Sequence, residues 1–132
     1  MILVDSNIFM YAAGSAHPHK QAAIAFLEGV AEGSTDAGID AEVLQEILHC
    51  YRALRRWPEG GAVYDAARIL FQDVLPITGE VLDCARWMLE KHSGVGARDA
   101  LHAAVVEVYR LDGICSFDQD FDVIQGLRRL EP

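Results

Sequence analysis

The chain has 132 residues, enough for one domain of ordinary size with a real hydrophobic core. It carries 20 acids against 11 bases, a formal net charge of −9, which argues against a generic nucleic-acid coat protein. No stretch reaches the ~18 apolar residues of a membrane span, and the N-terminus lacks the basic region of a signal peptide.

The hydrophobic content of 52% lies above the usual ~45–50%. That fits an apolar association surface or simply an Ala-rich helical chain. Cys50, Cys84 and Cys115 are odd in number, far apart and without a CxxC pair. They read as reduced core residues of a cytoplasmic protein. No repeat, linker or low-complexity segment divides residues 1–132, so a single domain is expected.

In chain order, residues 1–5 form an apolar run (Ile2, Leu3, Val4) ending in Asp5, the pattern of a strand buried on both faces. A short helical turn is expected over Asn7–Ala12. His17-Pro18 breaks the chain, and Pro18 suits the first turn of a helix running to about Glu32. Thr35–Ile39 is a weaker second strand. Asp40 caps a helix whose Val43, Leu44, Ile47, Leu48, Tyr51 and Leu54 share one face. Pro58-Glu59-Gly60-Gly61 is expected to stop it, with another helix over Ala62–Gln72.

Val74–Ile77 reads as a third strand, placed at a sheet edge by Pro76. Thr78 caps a helix over Glu80–Lys91, His92–Gly96 is a loop, and Arg98–Tyr109 is a strongly apolar helix. Gly113–Ser116 is a fourth strand, and a last one falls near Arg129-Leu130. Strands alternating with helices predict an α/β class fold, a three-layer sandwich on a mostly parallel sheet of four or five strands. Ligands bind such sheets beyond the carboxyl ends of the strands.

Asp5 and Asp118 both lie at such ends. Asp99, at the start of ARDALHAAVVEVY, reads alone as helix capping or dipole complementation. Glu46 falls on the edge of its helix's buried face and reads alone as a solvated boundary residue. Together the four acids suggest one site, because packed carboxylates repel unless protons or cations intervene. Hard cations with oxygen ligands, Mg²⁺ or Mn²⁺, suit that donor set and support in-line phosphoryl displacement.

Competing motifs fail on their letters. DQDFDV (118–123) opens like a calcium loop, but Val123 and Arg129 stand where Gly and Glu belong. Gly94-Val95-Gly96 lacks the strand and last Gly of a dinucleotide site. The five histidines show no zinc spacing. His102, one turn after Asp99, reads as a packing residue that could face the site.

The chain resembles the PIN-domain family and, within it, VapC-type toxins of bacterial toxin–antitoxin systems. The residues carrying the resemblance are Asp5-Ser6-Asn7 after the opening strand, Glu46 in its amphipathic helix, Arg98–Ala104 (RDALHAA) and Ser116–Phe121 (SFDQDF). The resemblance implies a Mg²⁺- or Mn²⁺-dependent endoribonuclease with acids matching Asp5, Glu46, Asp99 and Asp118 on the metal. It implies that Ser6 or Asn7 orients substrate or ligands and that Ser116 supports the site. Asp118 is the first choice for the last acid because it directly follows the strand, and Asp120 the second. The resemblance further implies an RNA substrate, a cognate antitoxin protein that inserts a segment into the cleft, and a homodimer. Two other classes share features: a haloacid-dehalogenase-like phosphatase using Asp5, and a non-catalytic PIN-like module acting through a partner.

Overall fold

The computed structural model describes residues 1–132. Five strands form one sheet in the order β3-β2-β1-β4-β5, and every pairing is parallel. They are β1 (Ile2–Val4), β2 (Ala37–Asp40), β3 (Val74–Leu75), β4 (Gly113–Cys115) and β5 (Arg129–Leu130). Six helices connect them: α1 (Ser6–Ala13), α2 (Lys20–Ala31), α3 (Ala41–Ala53), α4 (Trp57–Leu70), α5 (Gly79–Lys91) and α6 (Ala97–Val108). A 3-10 turn over Gln119–Val123 follows β4. The expected parallel α/β sandwich is thus present, with β3 at an edge as Pro76 suggested.

Side chains of the central strands alternate between two cores. Val4, Ile39 and Cys115 join Ile8, Phe9, Ile47 and Ala67 of α1, α3 and α4. Leu3 and Ile114 join Val81, Ala104 and Phe121 beneath α5, α6 and the 3-10 turn. The chain adds β2 and β3 on one side of β1, then returns to lay β4 on the other. This reversal is a topological switch point, the place where strand ends leave a crevice. Val4 aligns with Cys115, and the Asp5 N–H donates to the Cys115 carbonyl at 3.0 Å. Residues 5 and 116 therefore emerge side by side.

Gly113 governs the next pairing, of β4 with β5. Its φ is +152°, and a Cβ there would meet the Arg128 carbonyl oxygen at 2.3 Å. Only a glycine lets β5 close against β4 at this position.

Three expectations are corrected. Pro58–Gly61 does not separate two helices but forms the first turn of α4, where proline's missing N–H costs nothing. Gly60 there is a packing residue, since a Cβ would lie 2.4 Å from Tyr51 Cβ. The break falls earlier: Arg55 takes φ +57°, and the Arg56 N–H bonds back to the Tyr51 carbonyl at 2.9 Å, closing α3. The turn after β1 is a full helix from Ser6 to Ala13. Of the cysteines only Cys115 is core, its thiol pushed up to about 12 by burial and by Asp5. Cys50 and Cys84 are half-buried, within α3 and α5.

Candidate active site

Asp5 stands at the junction of β1 and α1 and is buried. Ser116, fully buried at the end of β4, donates to Asp5 Oδ2 at 2.5 Å. Ser6 lies between two acids, 2.7 Å from Glu46 Oε2 and 3.3 Å from Asp5 Oδ1. Asn7 Nδ2 donates to Ser116 Oγ at 3.0 Å. Burial pushes the Asp5 carboxyl up, against the opposing pull of His102 and the Ser116 hydroxyl.

Glu46 sits on the buried face of α3, at the boundary its helical phase predicts. Its second oxygen meets His102 Nε2 at 3.0 Å, and His102 Nδ1 meets Asp40 Oδ2 at 2.8 Å. Burial opposes charge on His102, but hydrogen bonds to Asp40 and Glu46 outweigh it and hold its pKa well above the ordinary histidine value. The imidazolium then donates from both nitrogens. Burial likewise works against the Glu46 carboxylate, yet the His102 and Ser6 bonds keep it below the usual range.

The sequence suggests only a capping role for Asp40, and for His102 a packing role with the option of facing the site. Asp40 does cap α3, accepting from the Val43 N–H at 2.8 Å, but only with one oxygen. The signal that could have found it is the one that found Asp5, a carboxylate directly after a buried strand. His102 is a buried ion-pair partner rather than a packing residue.

Asp99 occupies the first turn of α6 but makes no capping hydrogen bond. Its carboxylate lies within ligand-sharing distance, 4.8 Å, of those of Asp118 and Asp120. Burial first, then the charges of Asp118 and Asp5, push the Asp99 carboxyl up to about 6. Asp118 is held by its own backbone, whose N–H donates to Ser116 Oγ at 3.0 Å, while its Oδ1 accepts from the Asp120 N–H at 2.9 Å. Asp120 is more exposed. Asp122 is drawn away into a bidentate pair with Arg129 at 2.8 and 3.1 Å.

Ser116, which donates to Asp5 and accepts from the Asp118 N–H, links the Asp5–Glu46 group to the Asp99–Asp118–Asp120 group, and the charge of Asp5 is felt at Asp99. Both nitrogens of His102 are already engaged, so the ring is not a free ligand although it lies beside Asp5 and Glu46. The remaining donors are all oxygen, which fits hard cations such as Mg²⁺ and Mn²⁺. Asn7 Oδ1 adds a second sign of fit, as a buried side-chain oxygen with no hydrogen-bond partner.

Fold and cleft define the class as a parallel α/β domain with an acidic cleft at its switch point. The chain belongs to the PIN-domain family, which it matches over residues 2–127, and within it to the VapC group. It is 43% identical over 130 residues to Ribonuclease VapC13 of Mycobacterium tuberculosis, covering 98% of this chain and 99% of that one. Ribonuclease VapC23 of the same organism is 35% identical over 121 residues, covering 89% and 93% respectively. Among solved structures, VapBC2 from Rickettsia felis bound to a promoter DNA fragment superposes with TM-score 0.79 at 17% identity, over 100% of this chain and 99% of that one.

Proposed function

We propose that this chain is a metal-dependent endoribonuclease, the toxin of a toxin–antitoxin pair, hydrolysing RNA phosphodiester bonds in the cytoplasm. The observation that supports the reading is a pair of carboxylate groups, Asp5–Glu46 and Asp99–Asp118–Asp120, with the charge of Asp5 felt at Asp99, in a chain 43% identical to a protein named as a ribonuclease. Residues 1–132 act as one PIN-like domain, working as a homodimer. A cognate antitoxin blocks the cleft, and the net charge of −9 suits a basic inhibitory segment.

Asp5, Asp99 and Asp118 hold Mg²⁺ or Mn²⁺, with Asp120 within reach. When bound, the ion supplies Lewis acidity at the phosphoryl oxygens and lowers the pKa of the attacking water. Ser116 donates to Asp5 Oδ2 and keeps its carboxylate oriented, while the Ser6 hydroxyl gives its proton to Glu46. Glu46, fixed by His102 on one oxygen and Ser6 on the other, completes the cation site or orients the water. Asn7 offers its unpartnered oxygen to ligand or substrate. A phosphatase acting through Asp5 as nucleophile is disfavoured, because Asn7 stands where the second acid belongs.

The test is cleavage of total cellular RNA with Mn²⁺, with EDTA, and with Asp5→Ala beside wild type. Metal-dependent fragments that vanish in the variant, with the far-UV circular dichroism unchanged, are the expected result. Full activity in Asp5→Ala would sink the mechanism.

A further inference from the structure

Beside the acids lies a cluster of four rings that the chemistry above leaves unused. Tyr11 on α1, His17 and His19 before α2, and Phe117 after β4 are in mutual contact. His19 stacks on Phe117 at 4.0 Å with 15° between planes, and Tyr11 meets Phe117 edge-on at 5.3 Å. His17 lies 4.6 Å from Tyr11 and 4.9 Å from His19. His17 is exposed, and the other three rings are only half-buried.

The cluster is built onto the cleft. Phe117 separates Ser116, which holds Asp5, from Asp118. Tyr11 follows Asn7 by one helical turn on the same face of α1, and Asn7 bonds Ser116. Lys20 adjoins His19, and its ammonium donates to the Gly14 carbonyl without pairing to any carboxylate. It is one of only two lysines in the chain.

Packing alone does not account for this composition. Tyr11 and Phe117 pack on the core and His17 Nδ1 accepts from the His19 N–H at 3.1 Å, yet one exposed and three half-buried rings leave aromatic surface in solvent. Single-stranded RNA is held through bases stacked on aromatic faces, with cations along its backbone. A chain with 20 acids and 11 bases has little phosphate-led attraction to offer, so stacking must supply a larger share of affinity.

We infer that Tyr11, His17, His19 and Phe117 form a base-stacking subsite for a single-stranded RNA segment flanking the scissile phosphate, with Lys20 directed at its backbone. The inference rests on the ribonuclease reading and deepens it.

The experiment measures the affinity of a short random-sequence single-stranded RNA by fluorescence anisotropy, with Ca²⁺ in place of the catalytic ion. His17→Ala and Phe117→Leu are each expected to weaken binding about fivefold or more, and Phe117→Trp to retain it. His17 is exposed, but its Nδ1 accepts from the His19 N–H at 3.1 Å, so His17→Asn, which keeps an acceptor without the ring, is measured beside it and is expected to weaken binding equally. Wild-type affinity in both His17→Ala and Phe117→Leu overturns the inference, and intact Asp5-dependent cleavage in the same preparations leaves the ribonuclease reading standing. Loss of binding to a basic partner protein with RNA affinity unchanged also overturns it, making the cluster a partner contact. Wild-type protein that neither binds nor cleaves RNA removes both readings.

Discussion

Asp99 has the least comfortable carboxylate in the cleft. Half-buried in the first turn of α6, it faces Asp118 and Asp5 without a hydrogen-bond donor of its own. Its pKa is raised from 3.8 to about 6 in the folded protein, so the folded state binds this proton more tightly than the unfolded state. Stability associated with it is present below about pH 4 and is lost as pH rises towards 6. A divalent cation reverses the sign by favouring the carboxylate. Mn²⁺ is therefore expected to raise the melting temperature at pH 7.5 and to raise it much less at pH 5, where it competes with the proton. Equal shifts at both values would mean that Asp99 is not a ligand.

Legibility at this scale followed how local each role is. Asp5 stood out because a strand buried on both faces does not ordinarily run into a carboxylate. Helical phase placed Glu46 at the edge of the buried face, but only its company with the other acids made it a candidate. Asp40 was not, because its capping bond to Val43 already explains it and its second bond reaches a histidine 62 positions away. Ser6 was legible as a neighbour of the first acid but not as the bridge to Glu46, a contact that only tertiary packing creates.

Among elements, α6 is tied to the opposite layer by one side chain. His102 reaches to Asp40 at the start of α3 and to Glu46 nearly two turns further on. Its pKa is raised in the fold, so its contribution is fully present below the unfolded value near 6.5 and fades as pH climbs through the folded one. His102→Ala would leave Asp40, which is wholly buried, facing Glu46 with no cation between them. Breaking a buried pair by removing one partner costs about 3–5 kcal/mol, and urea denaturation is expected to show a loss of that order. A loss below about 1 kcal/mol would mean the ring is neutral and replaceable. The element order and the edge position of β3 were readable from period and proline placement. The start of α4 was not, because Pro58 and Gly60 signal a break in isolation and reveal their packing role only against Tyr51.

At the scale of the whole molecule, charge separates this protein from most that grip nucleic acid. Proteins that neutralise ~6–10 phosphates lose roughly 10³–10⁵ in affinity between about 50 and 200 mM salt. With 11 basic residues spread over a chain of net charge −9, binding of single-stranded RNA is expected to fall by less than about tenfold over that range. A steep slope in a salt titration would instead reveal a concentrated basic track. No helix is long and apolar enough to cross a membrane.

The switch point also sets when the cleft can exist. Asp5 and its partner Ser116 lie 111 positions apart, one on the first strand and one on the fourth. A ribosome releases Asp5 early, yet the carboxylate has no Ser116 hydroxyl, no Asp118 and no β4 beside β1 until the last part of the domain has emerged. The order of synthesis thus leaves the site's parts unassembled until β4 can join β1, so the geometry of the cleft is a late product of folding.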